Sequence, residues 1–113
     1  MSITVASVNV NGLRAAVRKG MTAWVERCRP DVIAMQEVRA PDDLVEALVA
    51  EVAGDGWSVV HDPAAVAGRA GVAVASRLPI GEHRTGGRVA AFASGGRWIE
   101  ADLETPPGAP LTV

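Results

Sequence analysis

The sequence predicts an α/β fold in its first half and a mostly β arrangement after it. Two β-prone apolar segments flank a helical stripe within residues 3–35, and a carboxylate, Glu37, follows the second of them. Beyond Trp57 no helical period recurs, and short β-prone runs alternate with Gly- and Pro-rich turns.

Each element has its own signal. Ile3 to Val10 carries β-branched and apolar residues on both alternating faces, which predicts a buried strand ending at the turn-prone Asn9-Val10-Asn11-Gly12. Leu13, Val17, Met21, Trp24, Val25 and Cys28 recur at three- and four-residue steps, predicting one helix that Gly20 weakens without breaking and Pro30 stops. On that stripe Trp24 belongs to the core and Cys28 reads as a buried thiol. Asp31 to Met35 is a nearly all-apolar run of the kind found in buried parallel strands, and Gln36-Glu37 follows at its C-terminal end. These pieces make a βαβ unit. Pro41-Asp42-Asp43 starts a second helix, whose apolar face is Leu44, Ala47, Leu48 and Val52, up to Gly54. Trp57–Val60, Gly71–Ser76, Arg97–Leu103 and the segment from Leu111 onward read as strands. Trp57 and Trp98 are expected to fill the interior, and His61 to sit in a loop as a solvated or capping residue.

Composition narrows the function classes. The 113 residues are 49% hydrophobic and 21% charged, the balance of a globular domain, so disorder and collagen-like repetition are excluded. A formal charge of −2 leaves no bulk attraction to nucleic acid or anionic membranes, although local patches remain open. Arg84, Arg88 and Arg97, set among glycines, are candidates for such a patch. One cysteine forms no internal disulfide and fits a reducing cytoplasm, and no apolar run is long enough to span a membrane. The final Pro110-Leu111-Thr112-Val113 is apolar and β-prone without a polar tail, which reads as a strand cut within a longer domain.

Glu37 is the most informative position. A lone carboxylate directly after a buried strand arrives at the sheet edge where α/β sites lie, and carboxylates there bind hard cations. Mg²⁺ needs few protein oxygens when water and phosphate complete its shell. In a parallel pairing Asn9 and Asn11 reach the same edge, where their amides can orient water or bind phosphoryl oxygen, or else only satisfy an Asx-type turn.

Three segments then carry a resemblance: Ser7-Val8-Asn9-Val10-Asn11-Gly12-Leu13-Arg14-Ala15, Asp31-Val32-Ile33-Ala34-Met35-Gln36-Glu37, and Gly68-Arg69-Ala70-Gly71-Val72-Ala73-Val74-Ala75-Ser76-Arg77. In order and spacing they resemble the exonuclease III and AP endonuclease branch of the endonuclease/exonuclease/phosphatase superfamily. The resemblance implies a four-layer α/β/β/α sandwich of the DNase I-like kind, of which residues 1–113 are the N-terminal portion of one domain. It also implies a Mg²⁺-dependent, or Mn²⁺-dependent, phosphodiesterase acting on duplex DNA at abasic sites and 3′ ends. By it Glu37 is the metal ligand, and Asn9 is catalytic, supporting metal and substrate phosphate. Asn11, where relatives can hold Asp, would orient the site without bringing charge. Arg14 and Arg69 would lie near the DNA backbone.

The branch's later motifs, a Tyr-containing segment, Gly-Asp-x-Asn and a terminal Asp-His pair, have no counterpart here, and the chain holds no Tyr. The chain as it stands is therefore expected to be inactive alone. It is also expected to stop after the first sheet and its helices, leaving a bare inner face through which it would self-associate. Two alternatives stay open: a superfamily phosphatase or phosphodiesterase with another substrate, and a non-catalytic α/β binding module.

Overall fold

A computed structural model describes residues 2–87, 95–106 and 108–113. The elements run β1 (Val5–Asn9), α1 (Leu13–Arg18), α2 (Met21–Cys28), β2 (Val32–Gln36), α3 (Asp42–Ala53), β3 (Ser58–Asp62), β4 (Val72–Ser76), β5 (Ile80–Thr85), β6 (Ile99–Glu104) and β7 (Pro110–Thr112). Among the described residues four strands form one sheet in the order β1-β2-β4-β3, and three form a second in the order β5-β6-β7. The α1–α3 helices cover one face of the first sheet, and the second sheet covers part of the other.

Alternation along the strands sorts side chains between these layers. From β2 and β4, Ile33, Met35, Ala73 and Ala75 face the helices, where they meet Leu13, Met21, Val25, Val45, Val49 and Val52. The small Ala73 and Ala75 let the helix layer approach closely. Val32 and Val74 point the other way and pack on Ala101 and Leu103 of β6, with Val60, Ile80, Ile99 and Leu111 around them.

The parallel pairing holds as the sequence predicts: β1 pairs with β2 in the register Val5↔Val32 to Asn9↔Gln36. Several other expectations are corrected. Among the described residues the first strand, expected to be buried, pairs with β2 alone at the end of its sheet, and Val5 is 45% exposed. Gly20, at φ 100°, breaks the first helix into two, because only a residue free of Cβ sterics turns the chain there. Cys28 is exposed at the last turn of α2, which stops at left-handed Arg29 before the stripe turns back into the core. In α3 the buried stripe is Val45, Val49 and Val52, and Leu44 is exposed: two apolar stripes overlap in this helix, and packing selects one.

The chain does not stop after the first sheet. β5 escaped the sequence reading because Ile80 is the only large apolar residue of Ile80–Thr85, as befits an edge strand. The second sheet covers the centre of the inner face that was expected to be bare. Its outer face is polar. Arg84 of β5 stands opposite Glu100 and donates to both Glu100 and Asp102, which also accepts from Thr112.

Those hydrogen bonds, from Arg84 first and Thr112 second, hold the Asp102 carboxyl at about 2, below its ordinary 3.8. A depressed carboxyl contributes stability that is present above the ordinary value and lost as pH falls through the folded one. The advantage of the native protein over Arg84→Ala in thermal midpoint should therefore be constant above pH ~4 and vanish toward pH ~2. The effect should be small, because the pair is solvent-exposed; equal profiles for both proteins would remove the ion pair from the fold's energetics.

Candidate active site

Two turns bring the polar residues together at the C-terminal edge of β1 and β2. After Asn9, Asn11 and Gly12 take positive φ of 48° and 91°, which turns the chain into α1. The turn stays laced to β2 and its extension: Val10 N–H donates to Gln36 O at 3.0 Å, Gly12 to Glu37 O at 2.8 Å and Leu13 to Val38 O at 2.9 Å. The residues after β2 are held on their other side by the loop ahead of β4. Val38 N–H donates to Gly71 O at 3.0 Å and Arg39 N–H to Ala70 O at 2.9 Å. Gly71 N–H in turn donates to Gly96 O at 2.9 Å, which ties the second sheet's loop to the first sheet.

This backbone lacing fixes Glu37. Asn9 Nδ2 donates to Glu37 Oε2, Arg39 Nη2 pairs with Glu37 Oε1, and Asn9 Oδ1 accepts the Asn11 N–H at 3.0 Å. The Asn9 hydrogen bond is the largest influence on the Glu37 carboxyl; burial opposes it, and the charge and hydrogen bond of Arg39, then the charge of Arg97, add to it, so the carboxyl is held below its ordinary value. The carboxylate is thus ionised and aimed across the whole neutral range.

Asn9, Gln36, Glu37, Arg39, Arg69 and Arg97 line a cleft of about 470 Å³. An adjoining cleft of about 320 Å³ is shared by Arg14, Arg39 and Arg69 with apolar walls that include Pro41 and Val66. Four arginines therefore gather along one rim of a chain whose net charge is −2. A larger cleft, about 650 Å³, lies at the opposite end of the sheet between the C-terminal ends of α2 and α3 and contains none of these groups. Convergent polar groups, not volume, identify the candidate site.

Asn9 and Glu37 are in contact, as the parallel register requires. Asn11 joins through its backbone, and Arg14 and Arg69 lie along the adjoining cleft. Arg39, Gln36 and Arg97 were not singled out from sequence as members of this site. Arg39 had a detectable signal, two residues beyond Glu37 and next to the same edge. Arg97 was legible only as a candidate for a loop patch, and nothing local tied it to Glu37, since it arrives from the loop ahead of β6. Of its two companions, Arg84 is committed to Glu100 and Asp102, and Arg88 lies outside the described residues. His61 is not a loop residue but part of β3, and Trp98 is not interior. Trp98 stands one residue before β6 on the outward parity of Glu100, to which its Nε1 donates at 2.9 Å.

The donors suit a hard cation sparingly. No group of three His, Cys, Asp or Glu gathers among the described residues. A Mg²⁺ here would rest on Glu37, with water and phosphate oxygens completing its shell, as the chemistry of that ion allows. Asn9 Nδ2 aims the carboxylate, and Asn9 Oδ1, which accepts one N–H from Asn11, has a second lone pair with which it would support the same ion. Among the described residues no helix is long and apolar enough to cross a membrane.

Comparison with solved structures finds the same fold. An AP endonuclease from Archaeoglobus fulgidus superposes with a TM-score of 0.73 at 26% identity, over 90% of this chain and 37% of that one. The 3′ phosphatase NExo from Neisseria, bound to product DNA hairpin, gives 0.74 at 20% identity, over 98% and 40%. The Xenopus laevis APE2 catalytic domain gives 0.64 at 20% identity, over 99% and 42%. The chain thus spans about two fifths of the length of the structures it matches. Its described residues build three helices, four strands of one sheet and three strands of a second, part of a DNase I-like α/β sandwich. The sequence model of the Endonuclease/Exonuclease/phosphatase family matches residues 6–112, and the chain belongs to that family.

Proposed function

We propose that these residues form the N-terminal part of a Mg²⁺-dependent DNA repair phosphodiesterase that acts on duplex DNA at abasic sites and 3′ ends. The observation that carries this reading is the Glu37 carboxylate, aimed by Asn9 and Arg39 into a cleft that Arg69 and Arg97 share. Likeness to AP endonucleases and to a 3′ phosphatase solved with DNA supports DNA as the substrate class.

Bound at Glu37, Mg²⁺ or Mn²⁺ would supply charge stabilisation at the phosphoryl oxygens. The chain's own residues do the rest of the binding. Arg39, Arg69 and Arg97 present planar guanidinium forks to a phosphate, and Arg14 extends that surface toward a neighbouring phosphate of the backbone. Asn9 keeps the carboxylate fixed, so that no reorganisation is needed when phosphate enters. Cleavage itself requires a group that activates water, which the resemblance assigns to the branch's later motifs. The chain alone should bind and not cut.

Fluorescence anisotropy with a duplex that carries an abasic analogue tests the reading. Arg97→Ala and Arg69→Ala should each weaken binding and each lower the salt dependence, log K against log[salt], by about 1, the effect of one lost phosphate contact. Binding that is indifferent to both substitutions would take DNA away from this cleft.

A further inference from the structure

His61 is the one buried ionisable ring outside the cleft that the proposed chemistry leaves unused. Its side chain is 3% exposed, and its Nδ1 lies 3.0 Å from Oδ1 of Asp42, the first residue of α3. A carboxylate only accepts, so Nδ1 carries the proton in this contact. Nε2 is buried with no hydrogen-bond partner among the described residues. It faces Gly71: a Cβ on that glycine would lie 3.5 Å from His61 Nε2 and 3.4 Å from Arg39 N.

The position matters because of what Gly71 supports. Glu37, Arg39 and Ala70 all adopt left-handed backbone, at φ 52°, 51° and 46°. Each such conformation is strained in a residue with a Cβ and persists only where neighbours over-determine it. The constraint here is the pair of bonds from Val38 N to Gly71 O and from Arg39 N to Ala70 O. Behind that pair lies the imidazole, and Asp42 anchors the imidazole to the helix that starts three residues beyond Arg39. The contacts close a ring: Glu37–Arg39, α3, Asp42, His61, Gly71–Ala70, and back to Val38 and Arg39.

We propose that His61, fixed by Asp42, is a positioning residue that holds the Glu37–Arg39 wall of the cleft through Gly71. It touches neither phosphate nor metal. Its effect is to keep the strained segment in the one backbone conformation that lets Glu37 meet Asn9 and Arg39 together. The proposal concerns the same cleft and depends on the metal reading of Glu37 only where metal affinity is measured.

Amide hydrogen exchange and Mn²⁺ affinity, the latter by electron paramagnetic resonance, test it on three variants. His61→Ala and Asp42→Ala should raise exchange at the Val38 and Arg39 amides about tenfold while the amides of β3 and β4 stay protected. They should also weaken Mn²⁺ binding about tenfold, the usual effect of losing a group behind a ligand. His61→Asn, whose amide can still donate to Asp42, should restore much of both. Asp42 is 74% exposed, so its replacement keeps the question answerable if His61→Ala does not fold. Unchanged exchange at Val38 and Arg39, or a rise spread evenly through β3 and β4, would overturn the proposal. If the native protein binds no Mn²⁺, the metal reading fails, and the exchange pattern still decides the role of His61.

Discussion

Glu37→Gln should weaken Mn²⁺ binding at least tenfold and leave the thermal midpoint nearly unchanged. In an enzyme completed by the later motifs it should lower Mg²⁺-dependent nicking of abasic duplex by ~100-fold or more, since metal charge stabilisation is worth several kcal/mol. The substitution keeps the shape of the side chain and an oxygen that can still accept from Asn9 Nδ2. It removes the charge that pairs with Arg39 and that a cation would need. Stability should change little because the carboxylate is exposed, and exposed ion pairs contribute weakly. The sign with pH follows from its lowered value. The native side chain's small contribution to stability is present above the ordinary 4.5 and lost as pH falls through the folded value, whereas Gln has no such slope. Isothermal titration with Mn²⁺ and a nicking assay in Mg²⁺ are the measurements; unaltered affinity or undiminished nicking would remove Glu37 from the ligand role.

Gly96→Ala should act from the other side of the cleft and cost far more stability. Gly96 has φ 60°, and a Cβ there would lie 2.6 Å from Ala64 N and 2.8 Å from Ala64 Cα, both backbone atoms that cannot swing aside. Left-handed strain alone is worth about 1 kcal/mol, and displacing two backbone segments brings the total to roughly 3 kcal/mol or more. In a domain of this size that corresponds to a fall in thermal midpoint of about 12–20 °C. The consequence reaches the site because Gly96 O accepts the Gly71 N–H, and the next residue is Arg97. The variant should therefore also lose most of the DNA affinity attributed to Arg97, even at temperatures where it is folded. A folded Gly96→Ala protein with native affinity and midpoint would show that the contact between the two sheets does not place Arg97.

Local signals were enough for much of this molecule. The βαβ start follows from two β-prone runs around a helical stripe, and the parallel register follows from that start. Asn9 and Glu37 were legible as neighbours for the same reason: each ends a strand, and parallel strands bring their C-terminal ends to one edge. Patterning failed where it allowed two answers. In α3, Leu44 and Val45 each begin an acceptable apolar stripe, and only the sheet beneath selects the second. The stripe from Leu13 to Cys28 continues on paper across Gly20, but the backbone there reaches a conformation that ends one helix and begins another.

What the sequence determined by itself was the chemistry of one strand end: a carboxylate, two amides and a turn, with the family that such a pattern resembles. The tertiary structure decided how the described strands divide between two sheets, which stripe is buried and which cations face Glu37. The physical reason is range. Helix and strand periods are local properties of the chain, whereas Arg97 reaches the cleft through a backbone contact between two sheets, and His61 reaches its buried place through Asp42 on a helix. Those contacts depend on shapes that exist only once the layers have packed.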